Sequence, residues 1–303
     1  MDCPAPSATV APVPATVLLA TDLGSRCDRA LDRALIASRQ WGARLVALTV
    51  VEPGTTLHPA VTHAAAAHVS EAPAGALRQA ERRLRADLAV TDLPLSTRVA
   101  QGPVTASILA AIDAEGAGLV VVGVARDEVL SRIVLGSTVD ALARRSPVPM
   151  LVVRNRARAP YRQVVVASDF SPSSRRALET AAALFPEAGF TLFHAFGNPY
   201  PALSGMDASQ VRSDGHGLAE GQATVFLESC ELPSAVRERM QLTLAYGDPG
   251  ALLHARNATH PDDLVVLGTQ RRRGLLGLLI GSVAERILAQ VGNDVLLVPP
   301  EAA

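Results

Sequence analysis

Residues 16–31 read TVLLATDLGSRCDRAL, and residues 163–178 read QVVVASDFSPSSRRAL. Each begins with an apolar run, closes it on Asp22 or Asp169, and continues into an amphipathic stretch bearing alanine and leucine. That order predicts a buried strand leading through a turn into a helix. The two copies stand roughly 145 residues apart, and the spacing persists along the chain. GLVVVGVA from Gly118 answers DLVVLGTQ from Asp263, and LGSTVDALARRSPVPMLVV from Leu135 answers IGSVAERILAQVGNDVLLV from Ile280. The chain is one domain written twice, joined near RNRARAPYR at 154–162. The reading is a disordered, proline-interrupted tail over 1–15, a first domain over 16–155 and a second over 162–300.

Within each copy, short β-branched runs alternate with longer amphipathic segments, the pattern of parallel strands joined by crossover helices. The first copy predicts strands at 16–21, 44–51, 95–101, 118–123 and 148–153, with helices at 25–41, 70–90, 104–115 and 137–146. The second predicts strands at 163–168, 189–196, 240–246, 263–268 and 294–298, with helices at 172–185, 208–230, 249–258 and 282–291. Strands apolar on both faces need helices on both faces, so the fold class is α/β, two repeated open parallel five-stranded sheets. Ligands of such sheets sit beyond the carboxyl ends of the strands. This singles out Asp22, Gly123, Asp169 and Gly268, which close the first and fourth strands.

Composition narrows the chemistry. The 303 residues carry a formal charge of −1 and no lysine at all, so all 28 basic residues are arginine. Schiff-base catalysis and a phosphate-gripping lysine are excluded, and any phosphate must be held by backbone N–H groups, hydroxyls, a metal or arginine. A near-neutral chain offers no general field for nucleic acid or an anionic membrane, and Arg271, Arg272 and Arg273 lack interleaved aromatics. Three scattered cysteines give neither a disulfide framework nor a metal motif, and no apolar stretch is long enough to span a bilayer. A cytoplasmic protein is expected. His58, His63 and His68, five residues apart, do not share one helical face, and surface positions are expected.

After the fourth strand each copy places a second glycine thirteen positions beyond the first, at the opening of a helix. These are Gly123 with Gly136-Ser137-Thr138, and Gly268 with Gly281-Ser282-Val283. Glycine at a helix N-terminus lets an anion approach free N–H groups, which makes a cradle without lysine. A purely structural role is equally open: Ser282-Val-Ala-Glu285 reads as a capping box, Ser137 with Asp140 as a weaker relative, and the two aspartates as turn carboxylates.

This constellation, duplicated in order, resembles a tandem universal stress protein over nearly the whole chain. The resemblance implies strand order 3-2-1-4-5 in each half and pairing of the halves through their last strands, an intramolecular pseudo-dimer with further dimerisation left open. One branch of that family binds ATP through G-x2-G-x9-G-(S/T). Carried over, the phosphate loop uses Gly123, Gly136, Ser137 and Thr138 in the first half, and Gly268, Gly281, Ser282 and Val283 in the second. Adenine contacts map to Asp22 and Val50, and to Asp169 and Ala195. The middle glycine is Arg126 in one loop and Arg271 in the other. Arginine there either obstructs the pocket or reaches a phosphate with its guanidinium. Asp127 and Glu128 add negative charge to the first loop, so the second is the better nucleotide site.

No nucleophile elbow, dinucleotide fingerprint, carboxylate pair or metal cluster emerges from the sequence. The function expected is a stress-response binding or regulatory protein that takes ATP with magnesium in its second domain. The alternatives are a nucleotide-free module for an unknown protein partner, with arginine-filled pockets, and slow ATP hydrolysis.

Overall fold

The computed structural model describes residues 13–24, 28–52, 73–88, 93–124, 126–127, 132–133, 136–197, 208–270 and 281–301. The tail up to residue 12, the three spaced histidines, Glu128 and the arginine run 271–273 lie outside the described residues. Contacts divide the chain between Pro160 and Tyr161 into two compact units.

The first unit runs β1 (Thr16–Thr21), α1 (Asp28–Trp41), β2 (Arg44–Val51), α2 (Pro73–Asp87), β3 (Leu95–Gln101), α3 (Val104–Ala114) and β4 (Leu119–Gly123). It continues through two short strands, β5 (Arg126–Asp127) and β6 (Arg132–Ile133), to α4 (Ser137–Arg145) and β7 (Met150–Val153). Its five long strands are all parallel in the order β3-β2-β1-β4-β7, while β5 and β6 pair antiparallel as a hairpin that the sequence did not predict.

The second unit runs β8 (Gln163–Ala167), α5 (Pro172–Leu184), β9 (Gly189–Phe196), α6 (Ala208–Ser229), α7 (Ser234–Glu238), β10 (Met240–Tyr246), α8 (Pro249–Asn257), β11 (Leu264–Gly268), α9 (Ser282–Gln290) and β12 (Val295–Val298). Its order is β10-β9-β8-β11-β12, again parallel. Counting long strands along the chain, both units have the order 3-2-1-4-5.

Consecutive strand residues point to opposite faces. Val17 and Leu18 are both fully buried, as are Val164, Val165 and Val166, so each central strand is covered on both sides. The helices supply small apolar faces for this purpose: Ala30, Ala34 and Ala37 on α1, and Ala177, Leu178, Ala181 and Ala182 on α5. Such faces let helices lie close to the sheet and remove the apolar strand surface from water, worth about 25 cal/mol per Å². Where burial fails, at β3 and β10 on the far edge of each unit, polar residues such as Arg98 and Gln241 appear. The result is that β1, β4 and α4 in one unit, and β8, β11 and α9 in the other, bring their glycines and aspartates to the carboxyl end of a rigid sheet.

Candidate functional site at the carboxyl ends of the strands

Register fixes which residues meet. In the first unit Thr21 pairs with Thr49 and Ala20 with Val122, which carries Asp22, Val50 and Gly123 to one edge. In the second, Ala167 pairs with both Phe193 and Leu267, which does the same for Asp169, Ala195 and Gly268. Val50 and Ala195 are half-buried.

The turn after the first strand is built identically twice. The N–H of Leu23 donates to Thr21 Oγ1 at 3.0 Å, and that of Gly24 to Asp22 Oδ1 at 2.8 Å. Phe170 N donates to Ser168 Oγ at 3.0 Å, and Ser171 N to Asp169 Oδ1 at 3.1 Å. Between hydroxyl and carboxylate, Leu23 and Phe170 are driven to φ values of 59° and 61°, a left-handed conformation costly for bulky side chains. Both aspartates are thus turn carboxylates, one of the two roles their position allowed. In the second unit Ser174 Oγ also donates to Asp169 Oδ1 at 2.6 Å. Although Asp169 as a residue is exposed, partial burial pushes its carboxyl up, but hydrogen bonds from Ser171 and Ser174 outweigh this and hold it below the usual carboxylate value.

The two turns differ in what surrounds them. Under Leu23 lies a shallow apolar recess lined by Leu19, Leu31, Leu84 and Leu88. Phe170 instead stacks on the His194 ring at 4.2 Å and meets Phe226 at 5.4 Å. His194 Nδ1 lies 2.8 Å from the Ser168 carbonyl, which can only accept, so Nδ1 carries the proton. Further along the same edge Phe196 and Tyr246 pack edge to face at 5.8 Å.

The helix openings after the fourth strands overturn the capping-box reading. Ser137 and Ser282 are the first helical residues, one position too late to cap, and among the described residues no side-chain cap is made at either N-cap. The N-cap positions belong to Gly136 and Gly281, in extended conformation at φ −61° and −55°. Their carbonyls start the helices by accepting from Asp140 N at 3.1 Å and Glu285 N at 2.9 Å. A Cβ at either glycine would meet nothing within 4 Å. By contrast, α5 and α8 are capped by Ser171 and Asp248, each taking a first-turn N–H. Ser137, Ser282 and Val283 are exposed and Thr138 is half-buried.

Gly268 has another reason to be glycine. A Cβ there would stand 2.4 Å from the Ser173 carbonyl oxygen, so the first turn of α5 lies directly on it. Arg126 falls in β5, paired with Ile133, an extended backbone that arginine adopts without strain. Arg271 is outside the described residues. Among the described residues no three or more histidine, cysteine or acidic side chains gather as a metal site would require, and no helix is long and apolar enough to cross a membrane.

An open, doubly wound parallel α/β sheet with a glycine-opened helix at its carboxyl edge, built twice, defines the class of domain. The Universal stress protein family matches residues 15–154 and again 160–299, so this chain belongs to that family as a tandem of two such domains. Among curated proteins none matches the chain. Among solved structures, a universal stress protein from Archaeoglobus fulgidus DSM 4304 is similar at 15% identity and a TM-score of 0.64, covering 94% of this chain and 98% of its own. A protein of Pseudomonas aeruginosa UCBPP-PA14 attributed to the same family is similar at 19% identity and a TM-score of 0.65, covering 95% and 94%. At these identities the likeness concerns the fold.

Proposed function

We propose that the protein is a cytoplasmic stress-response binding protein that takes an adenine nucleotide, ATP with magnesium, at the carboxyl edge of its second unit. The observation that carries this reading is the glycine-capped opening of α9. Gly281 offers the first-turn N–H groups of a nine-residue helix no capping side chain of its own, and a Cβ there would meet nothing within 4 Å. An uncapped positive helix end is suited to a phosphate. Ser282 Oγ, released from capping, is a further donor beside it. Asp169, just beyond the end of β8, and Ala195, on β9 next to β8, offer backbone and carboxylate groups to a base or ribose. Gly136, Ser137 and Thr138, with Asp22, Val50 and Gly123, form the weaker counterpart in the first unit, where Asp127 adds negative charge.

Calorimetric titration of the purified protein with magnesium-ATP tests the proposal. Gly281→Asp places a capping carboxylate where the phosphate would lie. Affinity is expected to fall by about tenfold or more, the loss of a charge-assisted hydrogen bond, while thermal stability stays level or rises, because aspartate caps a helix slightly better than glycine. No binding by the wild type would turn the assignment to a nucleotide-free interaction module.

A further inference from the structure

Helix α6 is two different helices end to end. From Ala219 onward it is docked: Ala219, Ala223, Phe226 and the following Cys230 are all buried. Before that point none of the described side chains is. Ser209, Arg212, Ser213, Asp214, His216, Gly217 and Leu218 are exposed, and Gly215 is half-buried. This first part approaches the sheet through rings. His216 meets Phe196 edge to face at 5.8 Å, and Arg212 lies 5.7 Å over the Tyr246 ring.

Its sequence is also a poor helix. Ser213, Asp214, Gly215 and Gly217 follow one another within five residues, and each glycine lowers the helix constant about fivefold relative to alanine. Gly215 has a packing reason, since a Cβ there would stand 3.1 Å from the Phe196 ring. Gly217 has none, because a Cβ would meet nothing within 4 Å. An exposed interior glycine with empty space around it weakens the helix without improving its fit.

We propose that residues 208–217 are a flap that opens by local unfolding ahead of Ala219, while 219–229 stay docked, and that opening uncovers Phe196 and Tyr246. Those two rings lie at the carboxyl ends of β9 and β10, beside Ala195, so the flap controls access to an aromatic patch on the ligand-facing edge. Gly197 at φ +94° belongs to the same device, since a Cβ there would strike the Tyr246 ring. The device operates whether or not a nucleotide binds.

Hydrogen exchange on the full-length protein tests it. Amides of 208–217 are expected to be less protected than those of 222–229 by about tenfold or more. Gly217→Ala should slow exchange in 208–217 about fivefold and leave 222–229 unchanged. Phe196→Leu should speed exchange in 208–217 alone. Equal protection along the helix, or a Gly217→Ala effect spread evenly over both parts, would overturn the proposal.

Discussion

Phe170 and Leu23 occupy a conformation that costs a bulky residue about 1–2 kcal/mol, and they do so at equivalent places in two units. The cause is local: the hydroxyl before the aspartate takes the N–H of Leu23 or Phe170 and the carboxylate takes the very next N–H, so the residue between those two bonds has little choice of φ. TDLG and SDFS carry both groups in plain sight, yet nothing in residue type announces a left-handed leucine or phenylalanine, since glycine or asparagine is the usual occupant. The consequence for Asp169 is a pH dependence. Its carboxyl is held below its ordinary value in the folded protein, so its contribution to stability is complete above the unfolded pKa, near 4, and is lost as pH falls through the lowered folded value. Asp169→Asn removes that linkage. The urea midpoint of the wild type should therefore fall more steeply between about pH 5 and pH 2 than that of the variant.

At the scale of elements, the long strands and most helices were legible because apolar runs and alanine-rich periodicity each survive local noise. The β5–β6 hairpin and α7 were not. RDEVLSRI carries no glycine or asparagine turn signal, and a five-residue helix is shorter than the periodicity that would reveal it. The capping of α4 and α9 was misplaced by one residue, since serine is the stronger cap by type but glycine stands where the chain bends. Gly268 shows the complementary case of a glycine demanded by an element lying over it. Gly268→Ala brings a methyl against the Ser173 backbone, which cannot turn aside as a side chain would. A loss of about 1–3 kcal/mol is expected from denaturant unfolding, the range for overpacking. Gly281→Ala, in open space, meets no such clash and should lose only the N-cap preference for glycine over alanine, up to about 1 kcal/mol.

For the molecule as a whole, the repeat was readable and its asymmetry only partly so. The second unit was favoured on the charges of its loop, but the structure adds a difference that spacing alone did not bring out. All six phenylalanines and all three tyrosines fall after residue 160, and several of them gather around the turn and carboxyl edge of the second unit's sheet. The first unit meets the same topological needs with leucine and alanine. Two copies of one architecture have thus been filled with different side-chain chemistry.

That division gives the protein a built-in optical separation. Trp41, at the end of α1, is the single aromatic residue of the first unit, and every tyrosine belongs to the second. Emission excited beyond the tyrosine band reports only the first unit, and tyrosine absorbance only the second. One unlabelled sample is enough to follow the melting of each unit. In Gly268→Ala, the tyrosine-detected transition is the one that must move.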